Sequence, residues 1–227
     1  MKNLIVKSKF LFIILAFVGI LTVNGCKEDT VSTTPDNVDL SAMGTSDSTD
    51  ATGILRLDEV KILVKDIKLN VANNNQDSTN FKVGPYVLSL NLLSQINVMS
   101  TALIPEGTYD KVRFMIHKLE DNEVSPDPDF VSGTERYSVV VRGSYNGIPF
   151  IYKSTKSAHQ KLTFPNSLII TDLGKSNITL KVCPYIWFID NGVYLDPTDE
   201  SNRNNIDNNI KENINHNFKI FVDNDRN

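Results

Sequence analysis

The chain has 227 residues, a formal net charge of −4 at neutral pH and two Cys. An acidic balance argues against nucleic acid and against a broad anionic lipid face, because both are held mainly by Lys and Arg on phosphate. The length allows one domain with a real core, and the fold must rest on that core, since so few thiols cannot staple it.

Residues 1–9, "MKNLIVKSK", carry Lys2, Lys7 and Lys9 and no acid, and residues 10–23, "FLFIILAFVGILTV", are almost wholly apolar. That order is the pattern of a secretory signal, and the apolar run is short of the ~20 residues that span a bilayer. A signal peptide over residues 1–25 is expected. Its removal takes away three Lys and no acid and moves the net charge from −4 to −7. "VNGC" (Val23, Asn24, Gly25, Cys26) closes the run and resembles a bacterial lipobox. The resemblance implies cleavage before Cys26 and acyl chains on its thiol and amine, each buried methylene adding ~0.8 kcal/mol of membrane affinity. An ordinary signal peptide with a coincidental Cys is the alternative. Lys27, Glu28 and Asp29 follow. They resemble the Lys-acid-acid stretch after the lipidated Cys in lipoproteins of the Bacteroidetes group, which implies export to the surface. The expected location is the outer membrane, lipid-anchored and facing the cell exterior, with the periplasmic side as the alternative.

Residues 26–52 are rich in Ser, Thr and Asp and poor in large apolar groups. Such a segment cannot bury enough surface to order itself, so a disordered tether is expected, followed by a domain over residues 53–227. From Gly53 the apolar period becomes two. Val60, Ile62 and Val64 share a face, then Ile67, Leu69 and Val71 continue after a skip, which predicts a β-bulge near Lys65–Asp66. Residues 73–80 read as a loop, and residues 81–93 as one strand with Leu88, Leu90 and Leu92 on one side. Residues 104–119 give the clearest strand, with Val112, Phe114 and Ile116 opposite Arg113, Met115 and His117. Residues 136–154 read as a hairpin, because Asn146-Gly147 suits a type I′ turn. "KLTF" and "SLIIT" follow as short strands, then Ile178, Leu180 and Val182 on one face. Asp190-Asn191-Gly192 is a second hairpin signal, and residues 218–223 a last strand. One segment differs: Ile206, Ile210 and Ile214 lie four apart and predict one short helix within residues 200–214. Many short strands between turns argue for an all-β fold, an antiparallel β-sandwich with at most one short helix.

"VLSLNLLSQ" followed by Ile104, Pro105, Gly107, Tyr109, Val112 and Arg113 resembles a family of uncharacterised bacterial lipoproteins. Its members have a Leu-Leu strand and then an apolar-Pro-x-Gly-x-Tyr-x-x-[Ile/Val]-Arg strand. The resemblance covers residues 54–190 and implies a transthyretin-like or immunoglobulin-like sandwich behind a lipobox. "RLDEVK" stands where that family has Asp-Ala-Pro.

No motif of catalysis stands out. His117, His159 and His216 are far apart and lack neighbours at metal-ligand spacing. Asp121, Glu123, Asp127 and Asp129 crowd one loop, read as a solvated connector. Asp223, Asp225 and Asn227 alternate like the first ligands of a calcium loop, but the Gly and Glu that finish such a loop do not follow. No cofactor is expected, with Ca²⁺ at these three residues as the alternative to a solvated tail. Tyr185 and Trp187 are candidates for stacking on a sugar, against the plainer reading of core and rim. Cys183 reads as an inert small residue. The expected function is a lipid-anchored binding or assembly module without catalysis. Its partners would be the membrane through the anchor, and a glycan or an extracellular or envelope protein. The alternatives are an envelope hydrolase or calcium-dependent enzyme using loop carboxylates, and a structural spacer.

Overall fold

A computed structural model describes residues 36–45, 52–73, 78–82, 84–171, 174–217 and 219–223, with side chains described only as far as Glu212. All of these fall in one unit, Pro35–Asn227. The strands in chain order are β1 (Val38–Gly44), β2 (Leu55–Val71), β3 (Ser78–Lys82), β4 (Tyr86–Ser89), β5 (Asn97–Ala102) and β6 (Gly107–Ile116). Then come β7 (Val131–Ser132), β8 (Glu135–Arg136), β9 (Val139–Tyr145), β10 (Ile148–Ser154), β11 (Ala158–Ile170) and β12 (Ser176–Val182). The pair β13 (Ile189–Asp190) and β14 (Val193–Tyr194), the helix α1 (Arg203–Asn217) and β15 (Lys219–Asp223) complete the series. The fold is all-β and sandwich-like, with one α-helix among the described residues.

One sheet has the order β15-β12-β1-β5. The other is built on β2. Ile62 pairs with Val139 of β9 and Leu88 of β4, and Val64 with Ile116 of β6 and Tyr86 of β4. A strand residue has two flanks, so β9 and β6 lie end to end along one flank of β2, opposite β4. β10 extends β9, and β11 extends β6. The core lies between the two sheets: Val38, Leu40, Ile178, Leu180 and Val182 of one meet Val60, Ile62, Leu69, Val112 and Phe114 of the other.

The expected bulge is present. The β2–β6 register shifts between Lys65 and Lys68, and Asp66 takes φ 56°. Val60, Ile62 and Val64 before it and Ile67 and Leu69 after it are all buried, and Val71 is half-buried. Both hairpin turns have the expected positive φ, at Asn146 (49°) and Gly147 (78°) and at Asn191 (49°) and Gly192 (79°). The helix begins at Arg203 and buries Ile206 and Ile210, while the side chain of Ile214 lies outside the described residues. A carboxylate fastens it: Asp207 Oδ1 accepts hydrogen bonds from Tyr152 OH at 2.9 Å and Ser154 Oγ at 2.7 Å.

Four expectations need correction. The tether expected over residues 26–52 contains β1, the inner strand between β12 and β5. Val38, Leu40 and Ala42 alternate into the core, and Ser41 Oγ donates to Asn177 Oδ1 at 2.7 Å. Its pairing with β12 is parallel, Val38 opposite Ser176. Small polar residues between the apolar ones hide this period, and its partner lies far along the chain. Second, the loop expected over residues 73–80 ends in β3, which starts at Ser78. Third, residues 81–93 are not one strand. Gly84 at φ 89° and Pro85, which has no N–H, divide β3 from β4. Leu88 and Leu90 are buried, but Leu92 is only partly so. Fourth, "KLTF" and "SLIIT" are one strand, β11, whose register to β6 shifts between Thr163 and Leu168 around Pro165.

Candidate functional site

The outward face of the β2 sheet carries the charged groups. Strand alternation sends Lys61, Leu63 and Lys65 of β2 and Val140 and Arg142 of β9 away from the core. β6 stops at Ile116 and β9 starts at Val139 on the same flank of β2. The chain between them arches over the outward face. His117 N donates to Leu63 O at 2.9 Å where it leaves, and Leu63 N to Ser138 O at 2.8 Å where it returns. Beneath this strap Leu63, Leu119, Phe130 and Val140 form a small second core, each 0–1% exposed.

The acids of the strap, expected to be a solvated connector, are bound to the sheet. Lys61 Nζ lies 2.9 Å from Asp127 Oδ2 and 2.7 Å from Asp129 Oδ2. Arg142 clamps Asp129 with two bonds, Nη2 to Oδ1 at 2.6 Å and Nη1 to Oδ2 at 2.9 Å, and also meets Glu59. Glu123 takes Lys65 Nζ at 2.5 Å and His117 Nε2 on its other oxygen. The Arg142 and Lys61 bonds hold the Asp129 carboxyl well below the usual range against its partial burial. Burial opposes the charge of Glu123, but Lys65, the Glu120 amide and His117 outweigh it and pull its carboxyl down to about 2.

A depressed carboxyl stabilises the fold fully above its unfolded value and loses that contribution as pH falls through its folded value. For Glu123 that window runs from 4.5 down to about 2. Stability measured by urea at successive pH values should therefore fall across it, by about 2 kcal/mol for Glu123 after allowance for solvent screening. Glu123→Gln should start lower and vary less over the same range. An equal slope in the variant would show that this ion pair is not coupled to folding.

The remaining candidate residues are scattered. Cys26, Lys27, Glu28 and Asp29 lie outside the described residues, as do Asp225 and Asn227. Asp223 ends β15, paired with Asn177, and its side chain is not described. Among the described residues no three His, Cys, Asp or Glu side chains gather at a metal-holding distance, and no helix is long and apolar enough to cross a membrane. His117 is buried, at 2% exposure. His159 is exposed, and the side chain of His216 is not described. Cys183 is half-buried and forms no disulfide among the described residues.

The stacking reading of Tyr185 and Trp187 is corrected. Pro184 opens a 3-10 turn over Pro184–Phe188, not a strand. Tyr185 is 7% exposed and Trp187 0%, so neither offers a ring face to a sugar. Phe188 packs edge-on against Tyr152, with ring centres 5.7 Å apart. Asn209 Nδ2 of α1 donates to Trp187 O at 3.1 Å.

The outward face also holds an open cleft of about 310 Å³ at the bulge, which the sequence reading missed. Lys68, Arg113 and Lys161 stand in one row, Lys68 opposite Arg113 and Arg113 opposite Lys161. Met115 and His159 are paired in the adjoining row, and Asp66 sits at the rim. The bulge makes this possible. Strict alternation from Val64 would send Lys68 into the core; the extra residue sends it outward. The skipped period near Lys65 was the one signal in the sequence, and it does not reveal which strands flank it.

Compared with protein-family models, with curated proteins and with solved structures, the chain matches none of them.

Proposed function

We propose that the protein is a lipid-anchored module of the cell envelope, exposed at the cell surface, that binds or assembles and does not catalyse. The address rests on Cys26 behind its apolar run and on Lys27-Glu28-Asp29. The observation that carries the non-catalytic part is the strap. A loop enzyme would need Glu123, Asp127 or Asp129 free to take or give a proton, and each is bonded to a cation of the sheet. Glu123 and Asp129, whose carboxyls these cations hold ionised, are weak bases and no acids near neutral pH. Ser154 bonds Asp207 but is 0% exposed, so this pair fixes α1 to β10 and meets no substrate.

Cells expressing the full chain, labelled with a palmitate analogue and then treated with proteinase K while intact, test the reading. The label is expected on the wild type and absent from Cys26→Ala. The domain should be digested while a periplasmic control survives. An unlabelled wild type would overturn the anchor, and a domain that is cut only after lysis would move it to the periplasmic side.

A further inference from the structure

The cleft at the β2 bulge is built at a cost. Like charges directly opposite on neighbouring strands destabilise a sheet, and Lys68, Arg113 and Lys161 occupy one row across β2, β6 and β11. Other cations of this face are answered by acids: Lys61 by Asp127 and Asp129, Lys65 by Glu123, Arg142 by Asp129, Lys111 by Asp110. Among the described residues, neither Lys68 nor Lys161 has a carboxylate within ion-pair distance, although the chain as a whole is acidic. Lys161 is exposed and Lys68 and Arg113 are half-exposed, so the row is open to a ligand.

The shape of the row narrows the ligand class. Strands lie ~4.8 Å apart, so the row runs roughly 10 Å across the strands. Its donors are long side chains that stand on three paired strands. A lone phosphate is usually held by converging backbone N–H groups, whereas this row offers side-chain cations spread across three strands. Nucleic acid uses exposed aromatic rings for its bases, and Phe114 in the lining is only 3% exposed. An anionic membrane calls for a wider basic patch than this row. A linear chain with anionic groups at intervals fits best. We propose that the Lys68–Arg113–Lys161 cleft binds an anionic oligosaccharide, uronate-bearing or sulfated, laid across the three strands. This deepens the binding reading above and rests on it for the setting, but not on the anchor.

Titration calorimetry on the full chain in detergent tests it. The probes are a uronate oligosaccharide, a sulfated oligosaccharide of the same length, inorganic pyrophosphate, and vesicles containing anionic phospholipid. Binding of at least one oligosaccharide is expected, weakening as salt rises. Lys68→Gln with Lys161→Gln should weaken it about tenfold or more, as the loss of two charge-assisted contacts implies. Lys211→Gln, on an exposed face of α1, should leave it unchanged. No binding of either oligosaccharide would overturn the proposal, as would equal binding by the double variant. Pyrophosphate or vesicles bound as tightly as the sugars would overturn the carbohydrate class. None of these outcomes depends on acylation, so the cleft and the anchor fail separately.

Discussion

Trp187→Ala is expected to lower the free energy of unfolding by about 3–5 kcal/mol, enough to unfold a marginal domain. Trp187 has no exposed surface. It lies on the turn between β12 and β13, and α1 reaches that turn through the two bonds of Asn209 Nδ2, to Trp187 O at 3.1 Å and Ile189 O at 3.0 Å. Removing the indole empties a volume that the surrounding sheet cannot collapse into. Trp187→Phe should cost far less, about 1 kcal/mol, because the indole Nε1 is buried with no acceptor among the described residues. Losing that donor offsets part of the lost packing. Urea denaturation of the three proteins separates the readings. A sugar-stacking Trp would lose binding and keep stability. A core Trp loses stability in the order Ala, then Phe. If Trp187→Ala unfolds at the wild-type urea concentration, the packing described here is wrong.

Gly143→Ala is expected to cost about 3 kcal/mol, at the upper end of overpacking effects. Gly143 lies in β9 opposite Leu57, where the β2 register shifts between Leu57 and Glu59. A Cβ there would stand 2.1 Å from Arg56 O and 3.2 Å from Leu57 Cα. Both are backbone atoms of the paired strand and cannot turn aside as a side chain would. Gly147→Ala makes the control. It has nothing within 4 Å of a new Cβ but takes φ 78° in the Asn146-Gly147 turn. It should cost only about 1 kcal/mol, through backbone strain alone. Equal midpoints for the two variants would mean that the strands do not approach so closely at Gly143.

Much of the fold was legible in the sequence where one element could speak for itself. The period-two runs of β2, β6 and β12, the two Asn-Gly turns, the bulge and the Ile206–Ile210 face of α1 each depend on neighbours a few residues apart. The all-β class followed from their sum. β1 was not legible, because Ser41 and the acids around it lower the apolar content of its segment. What makes it a strand is the parallel pairing with Ser176–Val182. The 3-10 turn at Pro184 was hidden in the same way, since an aromatic run suits a buried turn as well as a strand.

The two surface features divide along the same line. The proposed address rests on sequence alone, from Lys2 to Cys26 and the charged residues after it, because export and acylation read a linear segment. Sequence also supplied the acids of the strap and the Lys and Arg of the sheet. Only the tertiary structure decided which charges meet. It brought Asp129 between Lys61 and Arg142, and left Lys68 and Lys161 on the same row as Arg113. Cross-strand register sets those neighbours, and register is fixed by core packing and by the bulge at Asp66, not by distance along the chain.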